Sequence, residues 1–270
     1  MHSNQRTINF GQLSLLFDKR DPSVQAYAER SWFEEFNSQF YGHINQYLSP
    51  ELLVDVGANY GVASVFMKQA MPGRQLVSIE PNSDLIYFIK TNISQNGFSQ
   101  CRVLQAVVGE ETKESVSFFI NPRGSQDSRV IAGGQNWRQI EVRQKTLSEI
   151  IADYNAKSAF IKIDSQGWEQ HIFIGADQFL KSSNEWLIKT EFAPDWLVSQ
   201  GTDPLGFLTY LIKNFTVAEF PARYGFEAHY TDLLKNTKIN LSAADRFLDY
   251  VVNLNRNKRG WVDLLVAPLT

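Results

Sequence analysis

The chain has one cysteine, Cys101, and so cannot close an internal disulfide; its stability must come from packing, and nothing in it is adapted to an oxidising compartment. It has no run of about 18 uncharged apolar residues of the kind that crosses a bilayer. Its first apolar stretch, Leu13 to Phe17, is too short for the core of a secretion signal. The expectation is a cytoplasmic protein with no membrane span. Positive charge is not in excess either: 26 Lys and Arg stand against 29 Asp and Glu, a formal net charge of -3, which leaves no field to draw in a nucleic acid. The 4 histidines are scattered, without HxH, HxxxH or His-carboxylate spacing, so no metal site is expected. Internal repeats and low-complexity tracts are also missing.

What remains is 270 residues of ordinary enzyme-like composition, 43% hydrophobic and rich in rings at 13% aromatic, enough to bury one large core. The aromatic excess suggests surfaces on which a flat or cationic ligand stacks. Leu52 to Val56 is a nearly continuous apolar run ending at Gly57, as in a parallel strand buried on both faces. Val62, Val65, Phe66 and Ala70 follow at helical spacing, stopped by Pro72-Gly73. The same rhythm repeats through Gln75 to Ile79, a helix over Leu85 to Ile93, and a third strand over Cys101 to Val108. From Ser115 alternation takes over, and a polar Gly, Ser and Asn-rich stretch (Gly124 to Asn136) predicts an inserted antiparallel pair or a mobile loop.

Strand and helix then alternate again: helix 146–154, strand 159–163, helix 168–180, strand 186–192, helix 204–214, strand 216–220, a loop over 222–230, helix 242–254 and a terminal strand 261–267. This pattern predicts an α/β fold, Rossmann-like and doubly wound, with a mostly parallel seven-stranded sheet and an antiparallel terminal strand. Residues 1–50 read as an N-terminal arm, a hairpin and an aromatic helix packed on a core domain spanning 51–270.

The sharpest local signal is Val54-Asp55-Val56-Gly57-Ala58-Asn59-Tyr60-Gly61, a strand running into a glycine turn and a helix. Gly57 and Gly61 allow torsions and close approach that a Cβ forbids, and the helix start offers free N–H groups to an anion. A dinucleotide site wants a further glycine where Asn59 stands, because a pyrophosphate must meet bare backbone there. A carboxylate of an amino acid tolerates Asn59, and Asp55 suits an ammonium group beside it. Glu80 ends the second strand in Glu80-Pro81-Asn82, where a carboxylate accepts both hydroxyls of a ribose. An amino-acid head plus a ribose describes S-adenosylmethionine.

With these residues in place the chain resembles a class I S-adenosylmethionine-dependent methyltransferase of the FkbM family. Three stretches carry the resemblance: 54–61; Glu80-Pro81-Asn82 with Asn92 and Asn96-Gly97; and Ile161-Lys162-Ile163-Asp164-Ser165-Gln166-Gly167-Trp168-Glu169 with Gly175-Ala176. The family usually has Glu where this chain has Gln166, which removes a negative charge beside Asp164. The resemblance implies O-methyl transfer to a hydroxyl of a sugar, a glycan or a polyketide-like small molecule, with residues 51–270 as the methyltransferase domain. Its site is expected to use Gly57, Asn59 and Gly61 at the methionine end, Glu80 with Pro81 and Asn82 at the ribose, and Gln105 and Ala106 at the adenine.

Asp164 ends a buried strand, where α/β sheets place their chemistry. It reads as a base, as a ligand of the methionine ammonium, or as a helix N-cap. Glu191 ends the next strand and is the second catalytic candidate. Tyr60 and Trp168 are placed to stack on the cofactor or a sugar face, with core packing as the alternative. Glu169 has a sufficient explanation in the helix dipole, and His171 reads as a surface residue. A binding module without catalysis, prompted by Gln166, and a dinucleotide-dependent oxidoreductase are the competing functions.

Overall fold

In the computed structural model, which describes residues 4–28, 33–183, 185–220 and 230–269, the arm opens with a hairpin of β1 (Gln5–Phe10) and β2 (Leu13–Asp18). Leu13, Leu15 and Phe17 alternate inward on β2, the period-2 pattern of a half-buried strand. A short turn leads to α1 (Gln25–Ala28) and α2 (Phe33–Tyr47). The core follows as β3 (Leu52–Val56), α3 (Val62–Ala70), β4 (Gln75–Ile79), α4 (Ser83–Gln95) and β5 (Cys101–Leu104). The inserted part is β6 (Val107–Val108), β7 (Lys113–Ile120) and β8 (Arg138–Lys145). Then come α5 (Leu147–Ala152), β9 (Ser158–Ile163), α6 (Glu169–Ser182), β10 (Glu185–Phe192), α7 (Pro194–Ser199), α8 (Pro204–Asn214), β11 (Thr216–Phe220), α9 (Tyr230–Asn236), α10 (Ala244–Asn253) and β12 (Val262–Ala267).

Seven strands form the main sheet in the order β11-β12-β10-β9-β3-β4-β5, with β12 antiparallel to both its neighbours and the ladders among β10, β9, β3, β4 and β5 all parallel. This is the α/β class that the sequence predicts. Two apolar layers sandwich the sheet. On one face Val54, Val56, Ile161, Ile163, Ile188 and Leu264 pack with α5, α6, α8 and α10 residues such as Ile150, Phe173, Phe207 and Val251. On the other, Leu53, Phe160, Leu187, Leu265 and Phe220 pack with Phe40, Tyr41 and Ile44 of α2, Phe66 of α3 and the hairpin.

One predicted strand is two. The run Cys101 to Val108 breaks at Gln105 and Ala106, where the chain leaves the carboxyl edge of the main sheet; Val107 and Val108 pair instead with Gln144 and Lys145 of β8. The inserted pair is β7 against β8, antiparallel as expected, so a separate three-stranded sheet of order β6-β8-β7 stands beside the main one. Of the predicted loop 222–230, residues 222–229 lie outside the described residues, as do residues 29–32 of the arm's predicted helix.

Asparagine side chains hold the arm on the core. Asn92 of α4, fully buried, accepts the N–H of Leu16 at 2.6 Å and donates to the Leu16 carbonyl at 3.0 Å and to the Tyr60 carbonyl at 2.9 Å. Asn96 treats Ser14 in the same way, at 2.9 and 2.8 Å. Asn92→Ala strands three backbone groups at once, each costing about 1 kcal/mol or more when left without a partner. Chemical denaturation is expected to show a loss of about 3 kcal/mol, and limited proteolysis to cut the arm before the core.

Candidate active site

At the carboxyl ends of β3 and β9 two backbones nearly touch. Gly57, at φ +73°, lies so close to β9 that a Cβ added there falls 1.8 Å from the Asp164 carbonyl oxygen. The crossing is locked by the N–H groups of Gly57 and Ala58, which both donate to the Ile79 carbonyl at 3.0 Å, and by that of Asp164, which donates to Val56 at 3.1 Å. No side chain fits at residue 57, and the turn that follows, with Asn59 at φ +52°, presents its backbone to a cavity of about 440 Å³. That volume is in the range of small-ligand and cofactor sites.

Glu80, at the end of β4, is held rigidly beside this turn. Its two oxygens accept the N–H of Asn59 at 2.8 Å and of Asn82 at 2.9 Å. Burial is the largest influence on its carboxyl and outweighs both hydrogen bonds, so its pKa is pushed up to about 7. Gly57, Ala58, Asn59, Glu80, Pro81 and Ala106 line one half of the cavity, and the apolar Val107, Phe118, Trp168 and Ile172 close that half from the inserted sheet and α6.

Five residues expected here sit elsewhere. Asp55 is fully buried below the cavity: Oδ2 accepts the Ser64 hydroxyl at 2.6 Å and Oδ1 faces the Lys162 ammonium at 3.6 Å, so it has no carboxylate to offer a ligand. Tyr60 points away into the core against Phe17 and Phe88, with its hydroxyl donating to Asp21 of the arm at 2.9 Å. Gly61 lies against Ile89, and Asn82 caps α4 by accepting the Asp84 N–H at 3.0 Å. Gln105 is exposed and donates to the Pro81 carbonyl at 3.3 Å, leaving its neighbour Ala106 on the wall. The motif residues that reach the cavity are Val56, which ends β3, and the turn Gly57-Ala58-Asn59; Asp55, one step back along β3, is sealed beneath.

The centre of the site is an ion-pair row. Lys162 of β9 reaches Asp164 at 3.3 Å and Asp55 at 3.6 Å. Burial opposes the ammonium, but Asp164 and Asp55 outweigh it and raise its pKa. Asp164 in turn feels burial first, then Lys162 and a 2.8 Å hydrogen bond from the Gln166 amide, and the sum lowers its pKa. It is an ionised carboxylate open to the cavity, and it does not cap α6, whose first turn has no side-chain cap.

Glu191, at the end of β10, is the opposite case. It is 9% exposed, Oε2 has no hydrogen-bond partner among the described residues, and burial followed by Asp164, Glu169 and Asp263 raises its pKa well above the usual carboxylate range. Glu169 is structural: Oε1 accepts the Ser165 N–H at 2.9 Å, the Ser165 hydroxyl at 3.0 Å and the Gly167 N–H at 3.3 Å, tying the turn before α6. His171 is not a solvated surface residue. It stacks on Trp168 with ring centroids 3.6 Å apart, and Nδ1 meets Glu110 at 2.5 Å, which fixes Trp168 against the cavity.

Several lining residues escape the sequence reading. Phe36, Asn37, Phe40 and Tyr41 of α2 line the cavity, as do Lys162, Lys189, Trp196, Trp261 and Asp263. A charged residue inside an otherwise buried strand, as at Lys162 and Lys189, is the signal that finds two of them. The Ser125–Asp127 turn, by contrast, belongs to the polar stretch Gly124 to Asn136 marked in the sequence; it lines the cavity, fastened by Ser125 donating to Asn59 at 3.1 Å and by its N–H to Asp21 at 3.3 Å.

Because the pKa of Glu80 in the folded chain lies above its ordinary 4.5, the folded state holds a proton that the unfolded state has lost between pH 4.5 and about 7. Stability is full below that window and falls as pH rises through it. Denaturation curves across this range are expected to flatten in Glu80→Gln, the lost slope amounting to about 3 kcal/mol.

Residues 55–228 match the family model described as the Methyltransferase FkbM domain. No curated protein matches the sequence significantly. Among solved structures, the chain is similar to a precorrin-6y C5,15-methyltransferase from Geobacter metallireducens GS-15, at 15% identity over 88% of this chain and 89% of that one, TM-score 0.42. It is also similar to the plantazolicin methyltransferase BpumL, crystallised with a monoazolic desmethylPZN analog and SAH (12% identity, 92% and 88% covered, TM-score 0.45). A third is the O-methyltransferase TomG from Streptomyces achromogenes, involved in tomaymycin synthesis and crystallised with SAM (10% identity, 86% and 79% covered, TM-score 0.38). With its distinctive strand-turn-helix unit, Lys162 to Glu169, inside the matched region, the chain belongs to the FkbM family of S-adenosylmethionine-dependent methyltransferases.

Proposed function

We propose that the chain transfers the methyl group of S-adenosylmethionine to a hydroxyl of a small-molecule or glycan acceptor. The observation that carries this reading is the pair of unlike carboxyl groups on one cavity: Asp164, whose pKa is lowered, and Glu191, whose pKa is raised and whose Oε2 is unpartnered. Two such groups held apart in their titration suit two roles, a fixed negative charge and a proton acceptor.

The residues fit the cofactor. The turn Gly57-Ala58-Asn59 lines the cavity, with Gly57 free of a side chain because the Asp164 carbonyl takes the place of a Cβ; Glu80 is fixed by two backbone donors with lone pairs left for ribose hydroxyls, and Ala106, Val107 and Ile172 give an apolar wall for the base. When bound, the sulfonium supplies the electrophilic methyl group. Asp164 holds the ammonium of the methionine end, a role for which Lys162 and Gln166 keep it ionised. Glu191 takes the proton of the acceptor hydroxyl on its carboxylate; its raised pKa makes it a stronger base than an ordinary carboxylate, though only above that pKa. Orientation of the hydroxyl by the cavity walls supplies the larger share of the rate, roughly 7–11 kcal/mol in well-oriented systems, and the base roughly 10²–10⁴-fold.

The test is transfer from labelled S-adenosylmethionine to a panel of glycans and hydroxylated small molecules. Turnover is expected to rise with pH through a midpoint above the ordinary carboxylate range. Glu191→Gln should remove that rise and lower kcat by about 10²–10⁴-fold with little change in cofactor affinity. Asp164→Asn should instead raise the KM for S-adenosylmethionine about tenfold or more. Binding without turnover across the whole panel would favour a cofactor-binding module, and stabilisation by NAD but not by S-adenosylhomocysteine would overturn the cofactor.

A further inference from the structure

The cavity has a second half that the cofactor residues do not use. Across the sheet the order β12, β10, β9, β3, β4 separates Asp263 from Glu80 by four strand spacings, about 19 Å. Asp164, just past β9, stands between the two ends. On the face toward the arm, period-2 alternation brings Lys189 and Glu191 of β10 and Asp263 of β12 to the top of the sheet, over Leu187 and Leu265. Above them lie Phe36, Phe40 and Tyr41 of α2, with Trp261 at the mouth.

Three observations define what this half accepts. First, its cations are spent: Lys189 bonds Asp263 at 2.5 Å, and Lys162 is shared by Asp55 and Asp164. Among the described residues no other lysine or arginine lines the cavity, so a phosphate or carboxylate finds no unpaired positive charge. Second, Tyr41 is 3% exposed, lines the cavity, and its hydroxyl makes no hydrogen bond to another described residue. A nearly buried phenol without a partner calls for one from a ligand. Burial first, and then Asp55, keep its proton on, so it stays a donor. Third, Trp261 is 50% exposed although it sits beside Asp263 at the cavity mouth, a bare indole face of the kind that rings stack on.

We propose that α2 and the ends of β10 and β12 form the acceptor subsite, that it takes a neutral ring-bearing molecule with more than one hydroxyl, and that Tyr41 donates to a hydroxyl other than the one methylated. This rests on the transfer reading above. It makes the arm, which lies outside the family match, a determinant of acceptor choice. Glu191 is the group at which this half meets the cofactor half, and Trp261 supplies the outer stacking face.

The experiment uses the full chain saturated with S-adenosylhomocysteine, so that the cofactor half is filled. Binding of a set of neutral ring polyols and aryl glycosides, each with a phosphorylated or carboxylated counterpart, is measured by calorimetry for the wild type, Tyr41→Phe and Trp261→Ala. Neutral members are expected to bind more tightly than their charged counterparts. Tyr41→Phe, which keeps the ring packing, should weaken them roughly five- to tenfold, and Trp261→Ala roughly tenfold, with S-adenosylhomocysteine affinity within twofold of wild type in both. Tighter binding of the charged counterparts, no binding by any neutral member, or loss of S-adenosylhomocysteine affinity in Tyr41→Phe would overturn the subsite. Bound neutral ligands that are never methylated from labelled S-adenosylmethionine would overturn the transfer reading while leaving the subsite standing. Methyl transfer indifferent to both substitutions would do the reverse.

Discussion

The Lys162 ammonium, largely buried at the centre of the sheet between Asp55 and Asp164, is the interaction around which the rest is arranged. A lone ammonium at that depth would lose its proton to escape the cost of desolvation. Two carboxylates keep it charged, and each is bound into a different part of the fold. Asp55 extends through the Ser64 hydroxyl to Ser78, linking β3, α3 and β4; Asp164 is held by Gln166 on the turn into α6. Buried ion pairs of this kind contribute little net stability, but losing one partner leaves an uncompensated charge. The row therefore acts mainly as a constraint of register, fixing β3 against β9 at the place where Gly57 and Asp164 pass in contact.

From that constraint three of the carboxyl groups on the cavity acquire different characters. Glu80 is raised by burial against the pull of two backbone N–H groups, Asp164 is lowered by a cation and an amide, and Glu191 is raised by burial with three negative neighbours. Gln166 contributes by what it lacks. A carboxylate at that position would add a negative charge beside Asp164 and withdraw the amide hydrogen bond that favours its ionised form.

The fold was legible because its signals are local. The β3 run, fully buried from Leu52 to Val56, and the Pro72-Gly73 stop need only periodicity to be seen. Glu80, Asp164 and Glu191 were legible for a related reason, since residues ending parallel strands fall on one edge of the sheet. Asp55 and Tyr60 were misplaced because a motif specifies the turn but not which side of it each side chain takes. Asp55 is one step short of the edge and is drawn to Lys162, while Tyr60 is drawn to Asp21, 39 residues away in the arm. The wall from α2 was illegible for a stronger reason: Phe36, Phe40 and Tyr41 read as an ordinary apolar helix face, and only the docking of the arm across β9, β10 and β12 turns its upper end into a cavity lining. The split at Gln105 was hidden because two short strands in line look like one long one.

The hairpin of the arm would by itself be a two-stranded ribbon with an open edge, and such edges recruit other strands. On β2 the outward groups of Ser14 and Leu16 are already taken, by the side-chain amides of Asn96, Gln95 and Asn92. Helix α4 thus stands in for a third strand, its amides spaced to imitate a ladder that no helix backbone can provide. The ribbon is closed on that side against self-association, and the aromatic helix that follows it is carried to the sheet on a base that cannot slip in register.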